Sequence, residues 1–167
     1  GQWGPKPPSS RRTVATTENN PVAEQFLLDE NPGALHVADF RLKEWLQWPS
    51  QKAEGVPRVG CAGRSCVPFC DAGPKDGSQH QSASETALLA EAAEHRNCEL
   101  FMVENVLGLV TEDSGHGAFS GAVKEWRARG YELSLILAVN HADLGGATTR
   151  RRLLCFFEQR DIFTSLP

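Results

Sequence analysis

The sequence predicts an α/β protein whose parallel, doubly wound sheet ends in an antiparallel pair. Three observations lead there. Strand-like and helix-like stretches alternate through most of the chain. The strand candidates are short apolar runs, and two of them close on a carboxylate, Asp39 and Glu104. The last two candidates, residues 131–139 and 153–157, follow one another as strands. In such sheets the chemistry collects just beyond the C-terminal ends of the strands, where Asp39, Cys66 and Glu104 all fall.

The elements follow in order. Residues 1–12 are polar, carry three prolines and read as a flexible leader. Residues 13–17 are β-prone. Asn20 offers an N-cap with Pro21 at the first helical position, and Val22, Phe26 and Leu27 suit one face of a helix running to Asn31. Residues 34–38 form a strand that ends at Asp39, and a short amphipathic turn with Trp45 and Trp48 follows. Residues 56–60 are the next strand. It opens into a long loop, 61–81, rich in glycine and proline and holding three of the five cysteines; loops of that length in compact domains usually carry function. Residues 84–95 are a helix rich in Ala, Leu and Glu, and residues 99–103 are a buried strand. Residues 117–129 are helical and are closed by Gly130.

With 167 residues, 40% of them hydrophobic and 23% charged, the chain can bury a core without disulfides. No apolar run nears the roughly eighteen residues of a membrane span, and the N-terminus lacks the pattern of a signal peptide. A nuclear or cytoplasmic address is expected, with no membrane partner. The net charge of −4 provides no global basic field for nucleic acid. A nucleic-acid partner would have to meet a local patch, of which Arg150-Arg151-Arg152 is the densest. Five cysteines without a secretory context favour free thiols, a metal site or one catalytic thiol.

Three stretches carry chemistry. Cys66 lies in Gly63-Arg64-Ser65-Cys66-Val67-Pro68-Phe69-Cys70 and is either a structural thiol or a nucleophile. Cys61, Cys66 and Cys70 with His80 also allow a zinc reading, though no Cys-x-x-Cys pair supports it, and no metal is expected. Glu104 closes an apolar strand, where burial would keep its acid partly protonated and able to donate to a ring nitrogen; the alternative is a solvent-facing strand end. Arg150 and Arg152 share one face of a strand entry and can hold a carbonyl oxygen, a carboxylate or a phosphate. Otherwise they are a solvated basic edge.

Together these stretches resemble the DNA (cytosine-5) methyltransferase family. Ser65-Cys66-Val67-Pro68-Phe69-Cys70 is similar to its Pro-Cys-Gln-Pro-Phe-Ser motif. Glu104-Asn105-Val106 matches its Glu-Asn-Val motif unchanged, 38 residues after Cys66. Residues 140–152 align without a gap to its Asn-Ala-Ala-Asp-Tyr-Gly-Val-Pro-Gln-x-Arg-x-Arg motif, keeping Asn140, Ala142, Asp143, Gly145, Arg150 and Arg152. Upstream, residues 16–23 resemble its Val-Glu-x-Asp-Pro-x-Ala segment, and His36-Val37-Ala38-Asp39-Phe40 its Gly-Asp-Ile segment. The resemblance spans roughly residues 13–160.

The resemblance implies a Rossmann-like methyltransferase sheet that is incomplete. Residues 13–167 would be a partial catalytic domain without the Phe-x-Gly-x-Gly cofactor loop, the first strand and the target-recognition region. It implies methyl transfer from S-adenosylmethionine to C5 of a flipped cytosine in DNA. Cys66 would add to C6, its thiol activated by Arg64 or the paired arginines. Glu104 would bind N3 and the exocyclic amine, and Arg152, helped by Arg150, would hold O2. Glu18 would bind the cofactor's ribose and Asp39 its adenine amine, with Phe40 beside it. Ser65, Val67, Cys70, Gly146, Ala147 and Thr148 depart from the motifs, which keeps the reacting side chains but loosens their frame. An inactive binding module and an RNA-directed relative are the alternatives.

Overall fold

The computed structural model describes residues 13, 15–44, 57–63, 84–111 and 113–163. The chain divides into two units, Gly1–Pro49 and Ser50–Pro167.

The first unit holds a two-stranded parallel sheet, β1 (Ala15–Thr17) and β2 (Leu35–Val37), joined by helix α1 (Pro21–Glu30). Asn20 sets the start of α1: its side chain accepts from the amides of Val22 and Ala23, with Pro21 at the first helical position. Residues 16 and 36 are register partners, and Thr16 Oγ1 lies 3.0 Å from His36 Nδ1. Of the expected apolar face of α1, Leu27 alone is half-buried. Val22 and Phe26 are exposed, and no residue of α1 is buried. Two strands of three residues, about 10 Å long each, offer too little surface to bury a ten-residue helix.

The second unit is a four-stranded sheet in the order β3-β4-β6-β5. The strands are β3 (Val59–Gly63), β4 (Leu100–Asn105), β5 (Tyr131–Asn140) and β6 (Arg151–Gln159). β3 and β4 run parallel, whereas β6 is antiparallel to both β4 and β5 and lies between them. The antiparallel pair expected at the end of the chain is therefore formed, and its last strand is inserted into the sheet. Helix α2 (Glu85–His95) links β3 to β4; α3 (Gly108–Thr111) and α4 (Asp113–Ala128) link β4 to β5; α5 (Arg160–Phe163) follows β6.

One face of this sheet holds the core. Odd-numbered residues of β4 and β6 (Phe101, Val103, Asn105, Leu153, Cys155, Phe157) are buried. Trp126 of α4 lies among them, stacked on Phe157 with ring centroids 4.3 Å apart, tilted against Phe101 at 5.2 Å and edge-on to Tyr131 at 5.3 Å. From α2, Thr86, Leu89, Ala90 and Ala93 form one buried stripe at helical spacing. Gly130 turns α4 into β5 with φ +84°, a conformation that glycine adopts without a Cβ penalty.

The helix expected over residues 117–129 runs instead over Asp113–Ala128, and three strand boundaries also differ from the sequence reading. β3 starts three residues later than expected, so Cys61 lies inside a strand and not in the loop. β4 continues through Glu104 to Asn105, and β6 begins at Arg151. In each case ladder pairing across the sheet carries the strand beyond its apolar run. The turn with Trp45 and Trp48, and residues 64–83 with Cys66, Cys70 and His80, lie outside the described residues.

Candidate active site

The face of the second sheet opposite Trp126 carries the even-numbered residues of β4 and β6, Glu104 and Arg152 among them. Glu104 is one residue from the C-terminal end of β4, and Arg152 is one residue inside the start of β6. Because β4 and β6 are antiparallel, both lie at the same edge of the sheet, which is also the edge where β3 ends. Arg152 Nε meets Glu104 Oε1 at 2.5 Å, and Arg152 Nη1 donates to the carbonyl of Arg151 at 2.8 Å. The guanidinium is thereby held by one carboxylate and one backbone oxygen. Gly63 lies opposite Glu104 in the parallel ladder, and a Cβ there would sit 3.4 Å from Glu104 Oε2. Gly63 itself therefore brings no side chain against that flank of the carboxylate.

Glu104 is less enclosed than its apolar strand suggests. Its side chain is 30% exposed and shares its charge with Arg152, which is 25% exposed. Strand-end geometry explains this: the buried face of β4 belongs to the odd-numbered residues. Arg150 stands just before β6 and is exposed; its carbonyl accepts from the amide of His141 at 2.9 Å. The structure thus joins Glu104 to Arg152 and leaves the Arg150 side chain outside that pair.

The turn between β5 and β6 is built from the residues that the motif retains. Asn140 caps a 3-10 turn, His141–Leu144, through its side chain and the amide of Ala142, and its Nδ2 lies 3.4 Å from Asp143 Oδ1. Gly145 closes the turn at φ +83°. Asn140 and Asp143 therefore act here on the shape of the turn that delivers Arg150 to Arg152 into the strand.

In the first unit, Glu18 directly follows β1 and Asp39 follows β2 by two residues, so both acids leave the C-terminal edge of one parallel pair. Glu18 Oε1 accepts from the amide of Asn20 at 2.8 Å, and among the described residues Oε2 has no hydrogen bond. Asp39 is fully engaged. Arg41 Nε donates to both its oxygens at 2.9 and 3.0 Å, Arg41 Nη2 to Oδ2 at 2.6 Å, and the Arg41 amide to Oδ1 at 2.9 Å. The Arg41 guanidinium holds the Asp39 carboxyl below the ordinary aspartate range. Phe40 opens the 3-10 turn Phe40–Leu42 that Asp39 caps. Arg41 was not among the candidates from the sequence. Its signal is an arginine two residues after a capping aspartate, close enough to take both carboxylate oxygens.

Of the other cysteines, Cys98 and Cys155 are buried, and burial pushes each thiol up to about 11, which leaves them inert near neutrality. Cys61 is exposed on β3. Among the described residues no cluster of His, Cys, Asp or Glu could hold a metal ion. Cys66 lies outside the described residues.

The family model of C-5 cytosine-specific DNA methylases matches residues 13–164. The chain belongs to this family. Among solved structures it is similar to a protein described as a DNA modification methyltransferase encoded within an E. coli prophage, at 17% identity and a TM-score of 0.62, over 90% of this chain and 41% of that one. It is also similar to the Entamoeba histolytica methyltransferase EhMeth, at 12% identity and a TM-score of 0.57, over 86% and 44%. The S. pombe Dnmt2 methyltransferase follows at 15% and 0.52, over 88% and 42%. The chain thus spans less than half the length of these structures, and the likeness establishes a partial Rossmann-like methyltransferase fold. A sequence search of curated proteins gives no match. No described helix is long and apolar enough to cross a membrane.

Proposed function

We propose that this chain supplies the cytosine-binding half of an S-adenosylmethionine-dependent cytosine-5 methyltransferase, acting on a flipped cytosine in DNA. The observation that carries the reading is the Glu104–Arg152 pair at the sheet edge where β3, β4 and β6 converge. A carboxyl and a guanidinium that touch can span one edge of a pyrimidine ring. The carboxyl serves N3 and the exocyclic amine, and the guanidinium serves the O2 carbonyl. Cys66 follows Gly63, the β3 residue opposite Glu104, by three residues.

In this reading the Cys66 thiolate adds to C6 while Glu104 withdraws electron density at N3, so that C5 gains carbanion character. Arg152 holds O2 and keeps the ring against Glu104. Once C5 has been alkylated, loss of its proton to a base and return of the C6–S electron pair to sulfur restore the aromatic ring and the thiolate. S-adenosylmethionine, when bound, supplies the methyl group from its sulfonium. Glu18 fits the ribose hydroxyls of that cofactor, since Oε2 is an unused acceptor. Asp39 fits the adenine amine only by sharing its oxygens with Arg41. Phe40 adjoins it in sequence.

The test is covalent trapping with 5-fluorocytosine oligonucleotides in DNA and RNA form, with cofactor present. The fluorine cannot leave as a proton does, so a working nucleophile stays attached. A mass adduct on wild-type protein that vanishes in Cys66→Ala and in Glu104→Gln supports the reading, and the substrate form that traps fixes the nucleic acid. Absence of an adduct with both oligonucleotides, at saturating cofactor, turns the chain into an inactive binding module.

A further inference from the structure

We propose that Arg151, on the face of β6 opposite Arg152, and Arg150 and His141 in the turn just before it straddle the rim of the site as a phosphate clamp that grips the nucleic-acid backbone beside the flipped base. This rests on the reading above. The argument begins with how the arginines are used. Among the described residues, Arg41 pairs with Asp39, Arg127 and Arg160 with Glu132, Arg129 with Glu94 and Arg152 with Glu104, while Arg58 binds the carbonyl of Arg96. Arg96 is engaged as well. Arg150 and Arg151 are the two described arginines whose guanidiniums have neither an ion pair nor a hydrogen bond, and both are exposed. In a chain of net charge −4, two adjacent unneutralised guanidiniums mark a surface kept for an anion.

Their placement fits the anion to the strand that would deliver the base. Arg151 is the first residue of β6 and pairs with Asn140, while Arg152 is the next and pairs with Val139. Strand alternation sends Arg151 to the face opposite Arg152. Arg152 is committed to Glu104, and Arg151 stands across the same sheet edge with its charge unspent. A nucleotide whose base enters on the Glu104 side carries its phosphate over that edge. Arg151 then meets phosphate oxygens with a planar fork that suits them.

The turn makes the clamp rigid. The amide of His141 donates to the Arg150 carbonyl, and the amide of Gly146 donates to the His141 carbonyl, both at 2.9 Å. His141 Nδ1 lies 3.4 Å from Thr148 Oγ1, which leaves Nε2 as a further polar contact. A Cβ at Gly146 would collide with the His141 ring, so glycine is required there for the ring to sit where it does. The nearby acid, Asp143, is turned into the cap of the loop by Asn140. Arg151 and His141 occupy positions that the Asn140–Arg152 motif leaves variable or fills with alanine, so they are not the residues that the family resemblance assigns to the base.

The experiment is fluorescence anisotropy of labelled cytosine-containing oligonucleotides, single-stranded and duplex, over a series of salt concentrations. Wild type is compared with Arg151→Gln, Arg151→Lys and Lys124→Gln, the last replacing an exposed lysine on α4. Arg151→Gln is expected to weaken binding uniformly across sequences and to flatten the plot of log K against log salt by about 1. Arg151→Lys keeps the charge and restores the slope, while Lys124→Gln leaves it at the wild-type value. An unchanged slope in Arg151→Gln, no oligonucleotide binding by wild type, or an equal Arg151-dependent affinity for vesicles containing phosphatidylserine each overturns the clamp. The catalytic reading fails separately. A Cys66 adduct with an Arg151-independent slope sinks the clamp alone, and an Arg151-dependent slope without an adduct sinks the chemistry alone.

Discussion

The two units hold themselves together by different means. In Ser50–Pro167 an aromatic quartet of Phe101, Trp126, Tyr131 and Phe157 is sealed between α4 and the sheet, with Leu153 and Cys155 beside it. In Gly1–Pro49 Val37 is the buried apolar residue among those described, and α1 shows Val22 and Phe26 to solvent. Among the described residues, the side-chain contacts that fix the first unit are polar: the local Asn20 cap and Asp39–Arg41 clamp, and the Thr16–His36 contact across the two strands. Burial scales with apolar area, whereas a cap or an exposed ion pair contributes about 1 kcal/mol or less. The first unit should therefore open at lower free energy than the second. Under the proposed function, the acids offered to a dissociable cofactor lie on the looser unit and the Glu104–Arg152 pair lies on the firmer one.

The most damaging change for this contrast is Trp126→Ala, which removes the ring touching three others. A loss of about 3–5 kcal/mol in the unfolding free energy is expected, measured by urea titration followed by far-ultraviolet circular dichroism. A loss below about 1 kcal/mol would mean that the quartet does not hold the second unit. Tyr131→Phe is the finer probe of the same core. It deletes the hydrogen bond from Tyr131 Oη to the Cys98 carbonyl, 2.8 Å long and buried. About 1 kcal/mol should be lost, because the carbonyl is left without a donor.

Asn20→Ala tests the other side. It strips the acceptor from the amides of Val22 and Ala23 and should cost about 1 kcal/mol. The signature is spatial: hydrogen exchange should accelerate in α1 while the amides of β4 and β6 keep their protection. If β4 and β6 lose protection equally, the two units unfold as one and the contrast is wrong.

How much of this was legible in the sequence depended on whether the deciding force was local. Asn20-Pro21 announced a helix start because a cap is made by neighbours in sequence. Gly130 likewise announced a turn, and it has positive φ. The edges of β3, β4 and β6 were misjudged by one to three residues because ladder partners set them, and those partners lie far away in the chain. Glu104 and Arg152 were chosen by motif, but their direct contact depends on β6 being inserted antiparallel beside β4, which no local pattern encodes. The exposure of Val22 and Phe26 was hidden for a similar reason. Helical spacing reports which residues share a face, and says nothing of whether anything covers it. The Asp39–Arg41 contact is local, but an aspartate at a strand end can equally bind a ligand or cap the turn that follows, and the sequence pattern is the same for both.

The smallest effect tests whether the Asp39–Arg41 clamp does energetic work in the looser unit. Arg41 holds the Asp39 carboxyl below the ordinary value of 3.8, so the folded state binds this proton less readily than the unfolded chain does. Linkage then gives the sign. The clamp's contribution is fully present above the unfolded value and is lost as pH falls through the lowered folded value. Arg41→Gln should bring Asp39 back toward 3.8, followed by the carboxyl carbon shift in an NMR titration, and should flatten the acid limb of stability for this unit alone. The change is expected to be slight, since the pair is open to solvent and salt screens it. If Asp39 titrates identically in wild type and Arg41→Gln, the bidentate contact does not persist in solution. Asp39 Oδ2 would then be open to an adenine amine while Oδ1 keeps the residue 41 amide, and Asp39 would be half-open as Glu18 is.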